Sequence, residues 1–499
     1  MSSGPENLRL VLGLKLRGAR DARGWTLQQL AARAGVAVSY LSEIEKGKKY
    51  PKPEKLLALA AALETPFEEL VSPRVAAELS PLSAFAGSEL LREFPFELFG
   101  LEAADLFELV AGDPKRAGAL LRSFGEIARR YDLEVEQLLF AALRAFQEVE
   151  GNFFPEIEAA AERFRAESGW QGRDRLEERD VRRALESRFG YRVDLERLPA
   201  EHELADLRSV FAEGPPPTLY VNGGLLPQQR AFVAAREIGY RVLGLEQRAV
   251  TGSWLKAESF EQVLANFEAS YFAGALLIPR AALAAELGRF FAAKKFRPQA
   301  LSGMLRRFRA TPEMLFYRVS QVAPSEFGLT DLFFVRFFRE PDWARPRLTK
   351  VLNLARVDVP YGVGPEEHYC RRWPGVAILG GRKVRARTGE LEPAAALCRF
   401  QSEPVEFLVV SLARHLALRP KTLSSVSIGF VVDERLRAVA RFLDDPALPR
   451  RAVDLTCERC PLDAAACKER AAPPSVLERR RRLARRERAI AALLGPAAR

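Results

Sequence analysis

Residues Trp25 to Gly47 read Trp-Thr-Leu-Gln-Gln-Leu-Ala-Ala-Arg-Ala-Gly-Val-Ala-Val-Ser-Tyr-Leu-Ser-Glu-Ile-Glu-Lys-Gly, and no other stretch of the 499-residue chain constrains its local fold so tightly. Thr26 can accept from the free N–H groups of the turn it precedes, which starts a helix. Leu30, Ala31 and Ala34 form an apolar stripe on that helix. Gly35 tolerates the left-handed conformation that ends it. Val36 then packs inward. A second short helix puts Leu41 and Ile44 on its buried side and Val38, Ser39, Ser42 and Glu43 on the other. Gly47 closes it, and Lys46, Lys48 and Lys49 gather there with Tyr50 and Pro51. A further helix, Glu54 to Leu63, offers Leu56, Leu57, Leu59 and Leu63 to the same core.

Two short helices around a glycine turn can lay the second one in the DNA major groove. The lysine cluster has no packing purpose and suits phosphate contact. A packed four-helix module that binds protein is the competing reading. The block over about residues 8–70 resembles the XRE (lambda-repressor-like) DNA-binding family, above all in Tyr-Leu-Ser-Glu-Ile-Glu-Lys-Gly. The DNA-contact candidates are therefore Val38, Ser39, Tyr40, Ser42, Glu43, Lys46, Lys48 and Lys49. Leu27 and Ala37 stand where that family usually carries Gln and Ser or Thr. The resemblance thus implies that some of its base or phosphate contacts are absent here.

The length suggests about three domains, and 48% apolar residues supply sizeable cores. A net charge of +11 suits an anionic partner without naming one. No run of 18 apolar residues is present, and the first residues lack an apolar signal-peptide core, so a cytoplasmic protein with no membrane partner is expected.

Apolar spacing gives five segments. Residues 1–72 form the amino-terminal helical domain. Residues 73–165 form a helical linker and possible dimerisation segment, with helices over 114–130 and 133–151. Residues 166–330 alternate helices (172–189, 228–244, 260–278, 280–294, then a pair to 322) with short strands near 191–195 and 215–226. Residues 331–475 mix strands and short helices, and 476–499 form an arginine-rich helix. The fold class expected is mainly α, with an α+β carboxy-terminal part.

Arg236-Glu237-Ile238-Gly239-Tyr240 lies in a segment that resembles the active-site helix of the ImmA/IrrE metallopeptidases. There, His-Glu-x-x-His binds zinc with two imidazoles one helical turn apart, and the Glu is the general base. Here Arg236 and Tyr240 replace both histidines. The family's third ligand precedes a Phe-Ala…Leu-Leu-x-Pro stretch, present as Phe272 to Pro279, but Asn266 stands in the ligand's region. A guanidinium and a phenol cannot rebuild a neutral-imidazole site, so a degenerate zincin-like domain without catalysis is expected. A remaining cavity there would be made cationic by Arg236.

Three of five cysteines fall in Cys457-Glu-Arg-Cys460 and Cys467, with Cys370 in His-Tyr-Cys-Arg-Arg-Trp. Clustered cysteines in a chain of this kind point to metal or redox chemistry, either an iron–sulfur cluster or zinc, or to unligated thiols. Cys398 has apolar neighbours and reads as core. Arg371, Arg372, Arg382, Lys383, Arg385 and Trp373 offer unspecific material for an anionic ligand, and no effector-binding residue is assigned.

Taken in order, the amino-terminal block, the degenerate peptidase-like segment, Tyr-Cys-Arg-Arg-Trp, Thr-Cys-Glu-Arg-Cys-Pro and Arg-Ala-Ala-Pro-Pro resemble the short-chain fatty acyl-CoA transcriptional regulator family, which includes regulators of propionate catabolism and the glyoxylate bypass. The resemblance implies a regulator that binds a double-stranded operator as a homodimer or higher oligomer and senses a short-chain acyl-CoA. It also implies a [4Fe–4S] cluster, with zinc as the alternative, on Cys370, Cys457, Cys460 and Cys467. An iron–sulfur redox-sensing regulator and, third, a DNA-binding regulatory metallopeptidase are the other readings.

Overall fold

The computed structural model describes residues 5–45, 49–71, 135–248, 259–343, 345–355, 357, 359, 364, 367–380 and 393–494. They fall into two compact units, 1–146 with 256–263, and 147–255 with 264–499.

The first unit opens with five helices: α1 (Pro5–Ala22), α2 (Leu27–Ala34), α3 (Val38–Glu45), α4 (Pro53–Ala62) and α5 (Phe67–Val71). Leu12, Leu16, Leu30, Leu41, Ile44, Leu56, Leu59 and Leu63 form their shared core. Leu57, expected in that core, is 54% exposed, because its position on α4 faces away from α2. Two features of α1 fix α3 and were not read from the sequence. A Cβ on Gly13 would stand 2.6 Å from the Ile44 carbonyl oxygen, so only glycine allows the helices so close. Arg20 donates through Nε and Nη2 to both Glu45 carboxylate oxygens, at 2.7 and 2.8 Å. The helix expected over 114–130 lies outside the described residues.

The next helix among the described residues, α6 (Val135–Val149), leads into the second unit, whose first layer is helical. It holds α7 (Pro155–Glu167), α8 (Glu178–Phe189), α10 (Pro227–Val242), α11 (Phe260–Leu277) from Leu264 onward, α12 (Arg280–Ala292), α13 (Pro298–Phe308) and α14 (Pro312–Phe327). The short α9 (Arg197–Ala200) and a small sheet complete it, with β1 (Arg192–Asp194) parallel and β2 (Ser209–Ala212) antiparallel to the central β3 (Thr218–Val221). β2 was not anticipated, since Ser-Val-Phe-Ala lacks polar alternation. Helix α8 begins six residues later than the expected 172, at Glu178, where Glu177 and Asp180 form a capping box. Arg318 of α14 is buried and donates to both oxygens of Glu158 on α7, at 2.5 and 2.8 Å, while the Tyr271 hydroxyl of α11 adds a third bond at 2.7 Å. This fully paired network clamps three helices together.

The second layer is a six-stranded sheet in the order β5 (Arg347–Asn353), β4 (Leu332–Arg339), β8 (Leu423–Val431), β7 (Glu406–His415), β6 (Ala394–Phe400), β9 (Arg450–Val453), parallel only between β6 and β9. Helix α15 (Pro374–Gly380) packs on one face, where Ser425 Oγ donates to the Gly375 carbonyl at 2.6 Å. Cys398 is fully buried on β6, as expected of a core residue. After the short α16 (Glu434–Val439), the chain ends its described part in α17 (Ser475–Leu494), whose arginines 479–482, 485, 486 and 488 are all exposed. Among the described residues no single helix is long and apolar enough to cross a membrane, although α11 and α12 pass that test as a pair bent by 68°.

Candidate functional site

The first candidate site is the outer face of α3. Thr26 caps α2 by accepting from the Gln29 N–H, and the Gln29 side chain returns the bond to the Thr26 N–H at 2.8 Å. Gly35 takes φ 60°, so the chain reverses as expected and α3 starts at Val38. Leu41 and Ile44 are fully buried, whereas Val38 is 42% exposed beside exposed Ser39 and Glu43. Tyr40 and Ser42 are half-buried. Lys49 lies 3.4 Å from Glu43 and over the Tyr40 ring, an exposed pair that contributes little to stability and leaves both groups free to exchange partners. Lys46 and Lys48 lie outside the described residues. The face therefore presents a methyl-bearing side chain, hydroxyls, a carboxylate and a cation on one rigid helix, the mixture used to read base edges and phosphates.

The second site is the degenerate peptidase position on α10. Glu237 is 1% exposed, yet it has a partner that the sequence reading missed: Arg248 Nη2 donates to its Oε2 at 2.6 Å. The Arg248 guanidinium also lies 3.4 Å from the centre of the Phe211 ring and 4.6 Å from that of Tyr240. Arg236 is turned to Ser209 Oγ, at 3.1 Å. Tyr240 packs on Ala265 and Ala269 of α11. A guanidinium therefore neutralises the carboxylate, and an aromatic sandwich holds that guanidinium. Its only cue in the sequence is one arginine after the helix.

The third site joins two sequence motifs. Tyr369 and Thr456 form an antiparallel bridge, Cys370 N–H donates to the Leu455 carbonyl at 3.2 Å, and Cys457 N–H donates to the His368 carbonyl at 3.0 Å. Glu367 takes two bonds from Arg459, at 2.7 and 2.8 Å, and one from Thr456 Oγ1, at 2.7 Å. His368 meets Glu458 at 2.8 Å. Trp373 is 3% exposed and donates from Nε1 to the Asp454 carbonyl, so it is a core residue of this junction rather than a ligand platform. Arg470 ties the Cys457–Leu462 loop, donating to the carbonyls of Cys457, Cys460 and Leu462.

All four cysteines of this junction are buried. Burial pushes the Cys370 thiol up to about 11 and raises Cys460 as well. Backbone N–H groups of Asp454 and Arg372 oppose that rise at Cys370 and that of Leu462 opposes it at Cys460, and the Ala471 N–H donates to Cys457 Sγ at 3.3 Å. Such donors favour thiolate sulfur and tune iron–sulfur centres. The donor chemistry fits a soft metal group. As placed, however, no three His, Cys, Asp or Glu side chains among the described residues form a set that could hold a metal ion. Arg382, Lys383 and Arg385 lie outside the described residues.

Comparison with known proteins divides along the same lines. The helix-turn-helix family matches residues 16–70, and the IrrE N-terminal-like domain family matches residues 188–320. The transcriptional regulator ClgR of Mycobacterium tuberculosis is 48% identical over 59 residues, 12% of this chain and 53% of that protein. The HTH-type transcriptional regulator SutR of Escherichia coli is 37% identical over 68 residues, 14% of this chain and 38% of that protein. The uncharacterized HTH-type transcriptional regulator y4dJ of Sinorhizobium fredii is 34% identical over 67 residues, 13% of this chain and 87% of that protein. This chain thus spans about half the length of ClgR, at 53%, and less of SutR. Among solved structures, a Mycobacterium tuberculosis transcriptional regulator aligns with TM-score 0.46 and 18% identity over 67% of this chain and 94% of that one.

Proposed function

Since the chain belongs, through its amino-terminal helices, to the helix-turn-helix transcriptional regulators, we propose that it binds a specific double-stranded operator and that its second unit adjusts this binding in response to a ligand. The observation that carries the reading is the two-sided α3, with Leu41 and Ile44 fully buried and Val38, Ser39 and Glu43 held outward by the Gly35 turn. Val38 meets a thymine methyl, Glu43 accepts from cytosine N4, and Ser39 and Ser42 add hydrogen bonds. Tyr40, Lys46, Lys48 and Lys49 position the helix on phosphates. Two copies reading half-sites about one helical turn apart make the operator near-palindromic. Exchange of Ser39 and Glu43 for alanine should change which duplex sequences bind, whereas exchange of Lys49 should weaken all sequences alike and lessen the salt dependence. Identical sequence preference in both variants would refute the docking.

The ligand in this reading is a short-chain acyl-CoA. The ordered motif series supports it, and so does the meeting of two of those motifs at one buried junction. Titration of acetyl-, propionyl- and butyryl-CoA with and without operator is the test. The two ligands should alter each other's affinity reciprocally, by about 1–3 kcal/mol. The IrrE-like layer serves as scaffold: Glu237 is held by Arg248, and no histidine stands at its helix. Chelator-sensitive cleavage of a partner protein would contradict that.

A metal centre would be held by Cys370, Cys457, Cys460 and Cys467, as [4Fe–4S] or, alternatively, zinc. When bound, such a group supplies rigid crosslinking of the junction and, if iron–sulfur, a one-electron redox response. The buried cysteines with N–H donors favour a second reading, in which the cluster itself is the signal. Protein purified without oxygen should contain iron and sulfide and absorb in the visible. One zinc in colourless protein would decide for zinc.

A further inference from the structure

One cavity of the second unit belongs neither to the peptidase-like position nor to the cysteine junction itself. It encloses about 780 Å³, within the range of small-molecule sites. Its walls carry Arg339, Arg371, Arg372, Arg450 and Arg451 against one carboxylate, Glu469. Val376 and Ala377 of α15 supply an apolar side.

These arginines differ from those of the second unit that are held by carboxylates. Arg318, Arg336 and Arg459 each have a carboxylate facing them, Glu158, Glu313 and Glu367. In the cavity, only Arg450 has one among the described residues, Glu406 at 3.6 Å. Two of the others are held by backbone carbonyls instead. Arg339 donates to the Leu379 carbonyl at 3.0 Å, and Arg451 to the Arg372 carbonyl at 3.2 Å. Arg371 and Arg372 make no ion pair among the described residues. Five guanidinium groups around one concavity repel one another unless an anion joins them. Guanidinium forks match phosphate oxygens in pairs, and a low-dielectric wall strengthens the attraction.

We propose that this arginine-lined cavity is a binding site for a small molecule carrying a diphosphate group, with the diphosphate held between Arg371 and Arg372 on one side and Arg450 and Arg451 on the other. The volume leaves room for a nucleoside-sized remainder along Val376 and Ala377. A free nucleoside diphosphate and the diphosphate of a coenzyme A share this chemistry. The site stands independently of the acyl-CoA reading, because inorganic pyrophosphate is sufficient to probe it. It also adjoins both cysteine-bearing segments: Arg371 and Arg372 directly follow Cys370, and the thiol of Cys467 approaches Glu469 at 3.8 Å.

The test is calorimetric titration of the intact chain with pyrophosphate, ADP and coenzyme A, compared with inorganic phosphate. One saturable site is expected for pyrophosphate and for ADP, each binding at least tenfold more tightly than phosphate. The Arg371→Gln/Arg451→Gln variant should lose at least tenfold in affinity for both, while Arg480→Gln on the exposed α17 should lose nothing. Tighter binding of coenzyme A than of ADP would assign the diphosphate to a coenzyme A, and the reverse order to a nucleotide. Arginine labelling by phenylglyoxal on the wild-type protein provides a second readout that does not depend on the variant folding. ADP should protect Arg371 and Arg451 and leave Arg480 reactive. Absence of saturable pyrophosphate binding, equal affinity in the double variant, or equal labelling with and without ADP would each overturn the proposal.

Discussion

At the scale of single residues, the second unit is organised by arginines that meet buried carboxylates. Glu237 is 1% exposed, and Arg248 at 2.6 Å is its nearer counter-charge, with Arg236 Nη2 at 3.9 Å the farther one. Replacement of Arg248 by methionine keeps the stem but leaves the carboxylate only the longer contact to Arg236, so the cost should approach the ~3–5 kcal/mol of a buried pair broken on one side. The double replacement Arg248→Met/Glu237→Gln should recover most of that loss in urea unfolding. Equal destabilisation by the single and double variants would show that packing, not charge, is what Arg248 contributes. Two other carboxylates contribute to the acid limit. Burial alone would raise Glu158, but the bonds and charge of Arg318, with the Tyr271 hydroxyl, hold it below its ordinary 4.5. Burial likewise opposes ionisation of Glu313, and Arg336, Lys350 and Arg208 outweigh it and hold the carboxyl at about 2. A depressed folded-state value means that these groups stabilise the fold above the unfolded value of 4.5 and lose that contribution as pH falls. Unfolding midpoints should therefore decline as pH drops from 4.5 towards 2, and Glu313→Gln should flatten the decline. An unchanged slope in that variant would contradict the assignment.

At the scale of elements, α1 sets the position of α3 through a single glycine. Gly13→Ala would drive a Cβ to within 2.6 Å of the Ile44 carbonyl oxygen and 2.7 Å of the Glu45 carbonyl oxygen, and backbone cannot yield there as a flexible side chain would. The substitution should lower the thermal midpoint of the first unit by several degrees and weaken operator binding, although it touches no DNA-facing residue. Unaltered unfolding and binding would show that α1 and α3 are not in such close contact. This glycine also marks what the sequence made legible. Helix boundaries with chemical punctuation were readable: the Thr26 cap, the Gly35 turn and the outward face of α3 all stand where side-chain chemistry puts them. Gly13 is an isolated glycine inside a helix, a cue to close backbone approach that periodicity alone passes over. Leu57 was misplaced because four leucines in ten residues do not say which of them faces the core. Strand β2 was hidden because it is an edge strand of four residues with no alternation. The meeting of the Cys370 and Cys457 segments could not be derived from spacing. It arises from a β-bridge and from side-chain pairs, Glu367 with Arg459 and His368 with Glu458, in which each motif holds the partner of the other.

At the scale of the whole chain, the account joins a DNA-reading unit to a unit rich in candidate ligand sites. Its charge of +11 favours association with nucleic acid in general, so weak, salt-sensitive binding to any duplex is expected and would establish little. What distinguishes a regulator is preference among sequences, and α3 is the only described element with the geometry assigned to that task here. The most direct test is selection of bound duplexes from a randomised library by the intact chain, at physiological salt, alongside the Ser39→Ala/Glu43→Ala variant. The account predicts that the wild-type protein enriches one two-fold-symmetric sequence with half-sites about one helical turn apart, and that the variant, folded and still bound at low salt, enriches a different sequence or none. Failure of the wild-type protein to enrich any sequence over the starting library, or enrichment of the same sequence by both proteins, would contradict it.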